Sequence, residues 1–394
     1  MAFLFKIRSR LRLDVAVPLV VVVNVLFFMA FVYHGVFTKH NRDPFSLWQH
    51  RFTQSQIEQG DEHGTGGGSI APTNATFFGK KQKRKISEIK NYLNDFSGRN
   101  GAFYMGDRAW RYIMVNSDLC RDTPTIDVII IVHTSPGHLE KRQRIRDSFA
   151  HKSKFLPFQV RVAFLLGLTS NKTLERVLWF EHTRYNDTVM GNFKDDYHNL
   201  TLKGVMGYRW VSEFCQNSRF VLKIDDDVMI NMYKLLYSFM GHMNGKKKSI
   251  FCNLWYKNTM PILRKGKWRV KNELFHNKTK FPYDYCSGFM VIMTSDLMRP
   301  MYEAAKRTPF FWIDDLYLFG MLPSVVGGVT FHNYALRQNT TLSGKEAIKC
   351  TSSLGARCPI FAASVQNRDY WTYWNVVESV YSSESWKAKQ VRVS

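Results

Sequence analysis

The stretch "IDVIIIVH" (126–133) constrains the fold more than any other part of the chain. It is a nearly unbroken apolar run rich in β-branched side chains and only of strand length, so it reads as a strand covered on both faces rather than as a helix. The segments after it keep changing period. "LEKRQRIRDSFA" (139–150) has helical spacing, "FQVRVAFLLGL" (158–168) is a second strand-like run, "TLERVLWFEHTRY" (173–185) a second helix, and "RFVLKI" (219–224) a later strand. Strands alternating with helices predict an α/β fold with a mostly parallel, Rossmann-like sheet flanked by helices. A chain that is 45% hydrophobic and 15% aromatic has the material for such a core. Ligands of these sheets bind beyond the carboxyl ends of the strands.

One strand end stands out. In "FVLKIDDDVMIN" (220–231) an apolar run leads directly into Asp225, Asp226 and Asp227. Three adjacent carboxylates repel one another unless a positive partner sits among them. Hard oxygen ligands suit Mg²⁺ or Mn²⁺, and diphosphate oxygens would complete the shell of such an ion. The triplet therefore reads as the seat of a metal carrying a nucleotide, with a solvated acidic loop as the plainer alternative.

The N-terminus places this chemistry. Val15 to Tyr33 contains no charged side chain, and at ~1.5 Å per helical residue it spans roughly the ~30 Å of a bilayer core. Its aromatic exit, "FFMAFVYHGVF", lacks the small-residue site of a cleaved signal. Lys6, Arg8, Arg10 and Arg12 precede it, so the positive-inside rule sets residues 1–14 in the cytoplasm and everything after 33 in the lumen, a type II topology. Six Asn-x-Thr acceptors (Asn74, Asn171, Asn186, Asn199, Asn277, Asn339) and six cysteines, all on the luminal side, agree with a secretory compartment. The cysteines contain no CxxC pair, which argues against structural zinc, and their pairing stays open. Residues 34–122 read as a stem, with "EQGDEHGTGGGSIAPTNAT" as linker and "KKQKRK" (80–85) as a solvated basic run; 123–394 is the catalytic unit. A formal charge of +23 admits nucleic acid, an anionic membrane face or a phosphorylated substrate as partner. The lumen and the absence of any recognition motif exclude nucleic acid.

Five blocks in order, "KRQRIRDSF" (141–149), "NFKDDYHNLTLKGVMGYRWVSEFC" (192–215), "FVLKIDDDVMIN", "FPYDYCSGFMVIMTSDLM" (281–298) and "WIDDLYLFG" (312–320), resemble the β-1,3-hexosyltransferases of glycosyltransferase family 31. The resemblance spans about 124–325. It implies a GT-A type fold, a UDP-sugar donor (galactose or an N-acetylhexosamine), Mn²⁺ or Mg²⁺, a glycan acceptor, inversion at the anomeric carbon, and a Golgi membrane location with the catalytic domain in the lumen.

Carried over by motif, Asp227 is the direct metal ligand. Asp225 is shared between metal and nucleotide, and Asp226 lies near the ribose and diphosphate. Arg142, Arg146 and Lys203 are the cationic contacts to the nucleotide, and Asp196 is the acid of the "DxY" block. Asp315 is the base that takes the acceptor proton, with Asp314 standing where the family usually shows glutamate. Gly288 in "YCSGF" is the sugar-side glycine, and Trp312, with Trp255 and Trp268, offers a face for stacking on sugar. Each has a plainer reading: a helix-surface charge pair for the arginines, a helix cap for Asp314 and Asp315, a core role for the tryptophans. The chain departs from the family in two places. "PIFAASVQNRDYWTYW" (359–374) lacks the late metal-binding histidine, with His332 as a distant substitute, and His133 stands where several relatives carry lysine. A non-catalytic relative that binds glycans would tolerate these losses but has no use for an intact triplet with Asp315.

Overall fold

The structure is a computed structural model that describes residues 110–275, 277–334 and 339–382. The expected cytoplasmic tail, the membrane span 15–33 and most of the stem lie outside the described residues. Among the described residues no helix is long and apolar enough to cross a membrane.

Eight of the eleven strands among the described residues form one large sheet. That sheet contains β1 (Tyr112–Met114), β2 (Ile126–His133), β3 (Val160–Leu168), β4 (Thr188–Lys194), β5 (Ser218–Asp225), β7 (Ser249–Trp255), β8 (Tyr285–Thr294) and β9 (Thr330–Asn333). Their spatial order is β1-β4-β3-β2-β5-β8-β7-β9. β2 pairs parallel with both β3 and β5, β3 parallel with β4, and β7 parallel with β9; β1 runs against β4, and β8 against both of its neighbours. All strands but β1 and β8 thus share one direction, which is the mostly parallel sheet expected, with the reversed β8 near its middle.

The alternation of β2 explains the layers. Ile129 and Ile131 point into one apolar layer, which holds α3 (Leu200–Phe214), α4 (Met298–Ala305) and the helical stretch 314–326. Val128, Ile130 and Val132 point into the other, with α1 (Leu139–Asp147), the helical stretch 232–243 and α6 (Tyr370–Ser382). Both faces are covered, as an unbroken apolar strand requires. α2 (Lys172–Tyr185) begins at Asn171, whose side chain accepts from the backbone N–H groups of Thr173 and Leu174, the local reason the helix starts there.

A second sheet of three short strands, β6 (Val228–Ile230), β10 (Thr340–Thr341) and β11 (Ala362–Ser364), continues from the end of β5. β11 lies antiparallel to β6. The aspartate triplet therefore occupies the step where the chain leaves one sheet for the other.

The folded unit takes in the last part of the expected stem. Trp110 is buried, β1 pairs with β4, and Cys120 is bonded to Cys215 at the end of α3. Cys252–Cys286 ties β7 to β8, and Cys350–Cys358 closes the turn after α5 (Gly344–Leu354). Among the sugar-acceptor asparagines, Asn171, Asn186 and Asn277 are exposed. Asn339 is buried and donates to the Pro359 carbonyl at 3.1 Å, which closes that position in the folded chain.

Cys120–Cys215 closes a loop of 95 residues, the longest of the three. Replacing both cysteines by serine lowers unfolding free energy by about 2–5 kcal/mol in a denaturant titration, because the unfolded chain regains that loop's freedom. An unchanged midpoint would show that the bond carries no such role.

Candidate active site

Strand geometry brings four ends together. His133, last in β2, lies in register with Asp225, last in β5. β8, running the other way, starts where these strands stop and brings Gly288 to the same edge. The helical stretch that opens with Asp314 and Asp315 packs against β8 from the third side.

Each aspartate of the triplet has a different environment. Asp226 is buried and accepts hydrogen bonds from the Thr134 hydroxyl (2.7 Å) and Lys141 Nζ (2.7 Å), and shares one with His138 Nδ1 (2.6 Å). Burial alone would push its carboxyl up; the bonds from Lys141, Thr134 and His138 outweigh this and hold it below the usual carboxylate range. Asp225, half exposed, accepts from Lys223 Nζ at 2.8 Å. Asp227 has no cationic side chain bonded to it and opens into a cavity of about 470 Å³ lined by Lys141 and residues 364–368. Its carboxyl is pushed up, first by partial desolvation and then by the neighbouring Asp225. The Asp227 carbonyl accepts from Val365 N–H at 2.7 Å, which fastens the 364–368 wall to the triplet.

That wall is the stretch in which a late histidine is missing. It presents Gln366 and Asn367 instead, and Arg144 holds Asn367 by a 2.9 Å bond to its Oδ1. His332 is elsewhere: on β9 it stacks on Phe251 at 4.4 Å and lines a different cavity, which shares no residue with that of Asp227.

Arg142 and Arg146, expected at the nucleotide, lie beneath it. Arg142 is fully buried and grips Glu181 with two bonds of 2.8 and 2.7 Å, while Arg146 bonds Glu181 and, twice, Asp187. Burial raises the Glu181 carboxyl, but the two arginines more than offset it and keep it ionised. Arg142 also donates to the carbonyls of Ser135 (2.7 Å) and Pro136 (3.1 Å), and Lys203 donates to that of Thr134 (2.6 Å). Arg142 and Lys203 thus shape the turn after β2, Arg146 braces Glu181, and none of the three lines the cavity, because a buried charge needs fixed carboxylate and carbonyl partners. The cations that do face the cavity are Lys141 and Arg368. Lys203 pairs with Asp195 at 2.9 Å, while Asp196 caps the turn 197–199 by accepting from His198 N–H, away from the triplet.

On the other side of Lys223 lies the second acidic pair. Lys223 is wholly buried and donates to Asp225 (2.8 Å) and to the Gly288 carbonyl (2.6 Å). Burial pushes its ammonium down, but Asp225, Asp314 and Asp315 together raise it. Asp315 accepts from the Gly288 N–H, and a Cβ at Gly288 would sit 1.9 Å from Asp315 Oδ1. Glycine is required here so that the Asp315 carboxylate can enter; the close approach is to the protein's own side chain. Burial and then the neighbouring Asp314 push the Asp315 carboxyl up to about 7, while burial pushes Asp314 up to about 6. The Asp314 carboxyl also takes backbone hydrogen bonds at the start of its helix, as a capping acid does. His133 lies 3.9 Å from Asp314 but neither ring nitrogen has a partner. Burial, then Lys223 and Lys203, depress its pKa well below the usual value, so it stays neutral and the contact is no ion pair.

Trp312 lies two residues before Asp314 in the chain. Its ring lies 4.6 Å from that of His198 and 6.3 Å from Tyr197. Trp255 ends β7 edge-on to Tyr285. Lys223, Lys141, Thr134 and His138 were not singled out from the sequence. Lys223 had a signal, since a residue two before Asp225 on a strand projects to the same face.

A galactosyltransferase family profile matches residues 140–332, a span that holds the triplet, Gly288 and the Asp314–Asp315 pair. Beta-1,3-galactosyltransferase 1 of Homo sapiens and of Mus musculus is 29% identical over 192 residues, covering 48% of this chain and 58% of that protein. UDP-GalNAc:beta-1,3-N-acetylgalactosaminyltransferase 1 of Mus musculus is 32% identical over 199 residues, again covering 48% of this chain and 58% of its own length. The chain thus spans little more than half the length of these curated relatives. Among solved structures, a glycosyltransferase involved in glycosylation of the major capsid of PBCV-1 is 8% identical, covers 64% of this chain and 99% of its own, and has a TM-score of 0.32. The galactosyltransferase LgtC, in complex with donor and acceptor sugar analogs, is 10% identical, covers 66% of this chain and 99% of its own, and has a TM-score of 0.31. Similarities that slight carry no argument. The sequence matches do, since they run through the residues that build the site: residues 140–332 match the galactosyltransferase family and are similar to these beta-1,3 transferases.

Proposed function

We propose that the protein is an inverting hexosyltransferase of GT-A type. It moves galactose or an N-acetylhexosamine from a UDP-sugar to the 3-hydroxyl of a glycan, in β linkage, while anchored in the Golgi membrane by residues 15–33. The observation that supports this reading best is the pairing of two acidic sites across Lys223. One site, at Asp225–Asp227, opens to a cavity with Lys141 in its wall; the other, at Asp314–Asp315, has the raised affinity for protons that a base working near neutrality needs.

The donor set at the triplet fits a hard divalent ion. Mg²⁺ and Mn²⁺ are held by one or two carboxylates with phosphate oxygens in the remaining positions, and Asp227, with the exposed side of Asp225, would supply those carboxylates. When bound, such an ion offsets the negative charge that builds on a departing diphosphate. Lys141 adds a fixed positive charge to the same cavity. Asp315 takes the proton from the acceptor hydroxyl as its oxygen bonds to the anomeric carbon, and the bond to UDP breaks on the opposite face, which inverts the centre. Gly288 fixes Asp315 with its N–H, and Lys223 keeps the base and the donor-side aspartate in register.

Two results follow for the full-length protein in detergent. UDP titrated calorimetrically with Mn²⁺ binds, and Asp227→Ala or EDTA removes the metal-dependent part of that binding. Binding indifferent to both would overturn the donor assignment. In transfer assays kcat rises with pH through about 6–7, because Asp315 acts only when deprotonated and its carboxyl is pushed up to about 7. Asp315→Asn lowers kcat by about 10²–10⁴-fold and removes that acid limb. Near wild-type turnover in the Asn variant would rule out Asp315 as the base, and glycan binding with no turnover in wild-type protein would favour a non-catalytic relative.

A further inference from the structure

The connection between β7 and β8 is long and carries more charge than its own folding uses. Residues 256–280 contain eight lysines and arginines against a single acid, Glu273. One of the eight is structural. The Arg264 guanidinium donates to the carbonyls of Lys271 (2.6 Å), Leu274 (3.0 Å) and Phe275 (3.3 Å). Ile262 and Val270 are buried beneath it, and Phe281 N–H bonds the Met260 carbonyl. The loop is therefore tied down from inside, and its outer cations are held on a fixed frame. Lys265, Lys267, Arg269 and Lys271 are all exposed, and none forms an ion pair among the described residues. Four like charges held close on a fixed frame repel one another, which is a standing cost that an anionic partner removes.

The same loop carries an aromatic face that leads to the proposed base. Trp268 is 50% exposed and its Nε1 donates to the Tyr197 hydroxyl at 2.9 Å; Tyr197 is itself 42% exposed. Lys267 Nζ lies 4.4 Å from the centre of the Tyr197 ring. Tyr197 and His198 reach Trp312, two residues before Asp314. Exposed rings fixed by the Trp268–Tyr197 hydrogen bond, near the proposed base, suit the flat apolar faces of sugars. The rings and the cations together lead through Tyr197 and His198 to Trp312, beside the proposed base, which is where an acceptor glycan would have to lie.

We propose that residues 264–271 and the Tyr197–Trp268–Trp312 face form an acceptor subsite for an anionic glycan, one whose sugars carry carboxylate or sulfate groups. The proposal deepens the transferase reading and rests on it for the word acceptor, but its test needs no turnover. Full-length protein is titrated, without donor, with four probes of similar length: a sulfated uronic-acid oligosaccharide, an unsulfated one, a neutral N-acetylglucosamine oligomer, and single-stranded DNA. The sulfated and unsulfated arms separate the two sources of negative charge. At least one anionic oligosaccharide binds roughly tenfold or more tightly than the neutral one, an advantage that falls with salt. The combined change Lys265→Gln, Lys267→Gln, Arg269→Gln, Lys271→Gln removes that advantage, and Trp268→Ala weakens the anionic glycan roughly tenfold, the size of one aromatic contact. Circular dichroism and a thermal midpoint on each variant establish that it is folded. Equal binding of neutral and anionic glycans overturns the proposal. So does DNA binding as tight as glycan binding that ignores Trp268→Ala, which would mark a general polyanion surface. UDP titration of the same samples reads the donor site separately, so glycan binding without UDP binding sinks the transferase reading alone.

Discussion

The site depends on one buried ammonium. Lys223 sits on a central strand with essentially no exposure, a position where an isolated charge would be prohibitively costly. It is stable there because carboxylates surround it: Asp225 by a direct bond, Asp314 and Asp315 through the field. The dependence is mutual. Burial pushes the Asp314 and Asp315 carboxyls up, and Lys223 is the cation that holds them down. Burial outweighs Lys223, which is why Asp314 and Asp315 are still pushed up.

A second buried charge network does the complementary work below. Arg142, Arg146, Glu181 and Asp187 use up each other's charge and leave Arg142 free to hold the carbonyls of the turn after β2. That turn presents Thr134 and His138 to Asp226. One network is closed, and fixes shape; the other leaves Asp314 and Asp315 pushed up, and keeps reactivity. Buried ion pairs contribute little net stability, so their value here lies in position.

The α/β class, the direction of most strands and the location of the triplet at a strand end were legible because each rests on local period: β-branched runs of strand length, helical spacing between them, carboxylates directly after "FVLKI". The reversed β8 was not legible. Its apolar run looks like its parallel neighbours, and its direction is set by a long connection whose path is a tertiary matter. At the site, Asp225, Asp227, Gly288, Asp314 and Asp315 gather at one edge as their motifs suggested. Arg142, Arg146 and Lys203 were right in charge and misplaced in depth, because a sequence gives a residue's type but not whether a carboxylate such as Glu181 or Asp195 has already claimed it. Lys223 was missed for the opposite reason: strand alternation points it at the site, yet a lysine inside an apolar strand attracts less notice than three aspartates after it.

The most direct test of this account is the pH dependence of turnover in Lys223→Met, with Lys223→Arg as the charge-preserving control and thermal midpoints to establish folding. Lys223 lowers the Asp315 carboxyl against burial, so its loss should drive that carboxyl higher. The acid limb of kcat should then move up by about 1–3 pH units in the Met variant and much less in the Arg variant. A folded Met variant whose acid limb coincides with that of wild type would show that the two acidic sites are not coupled through this residue.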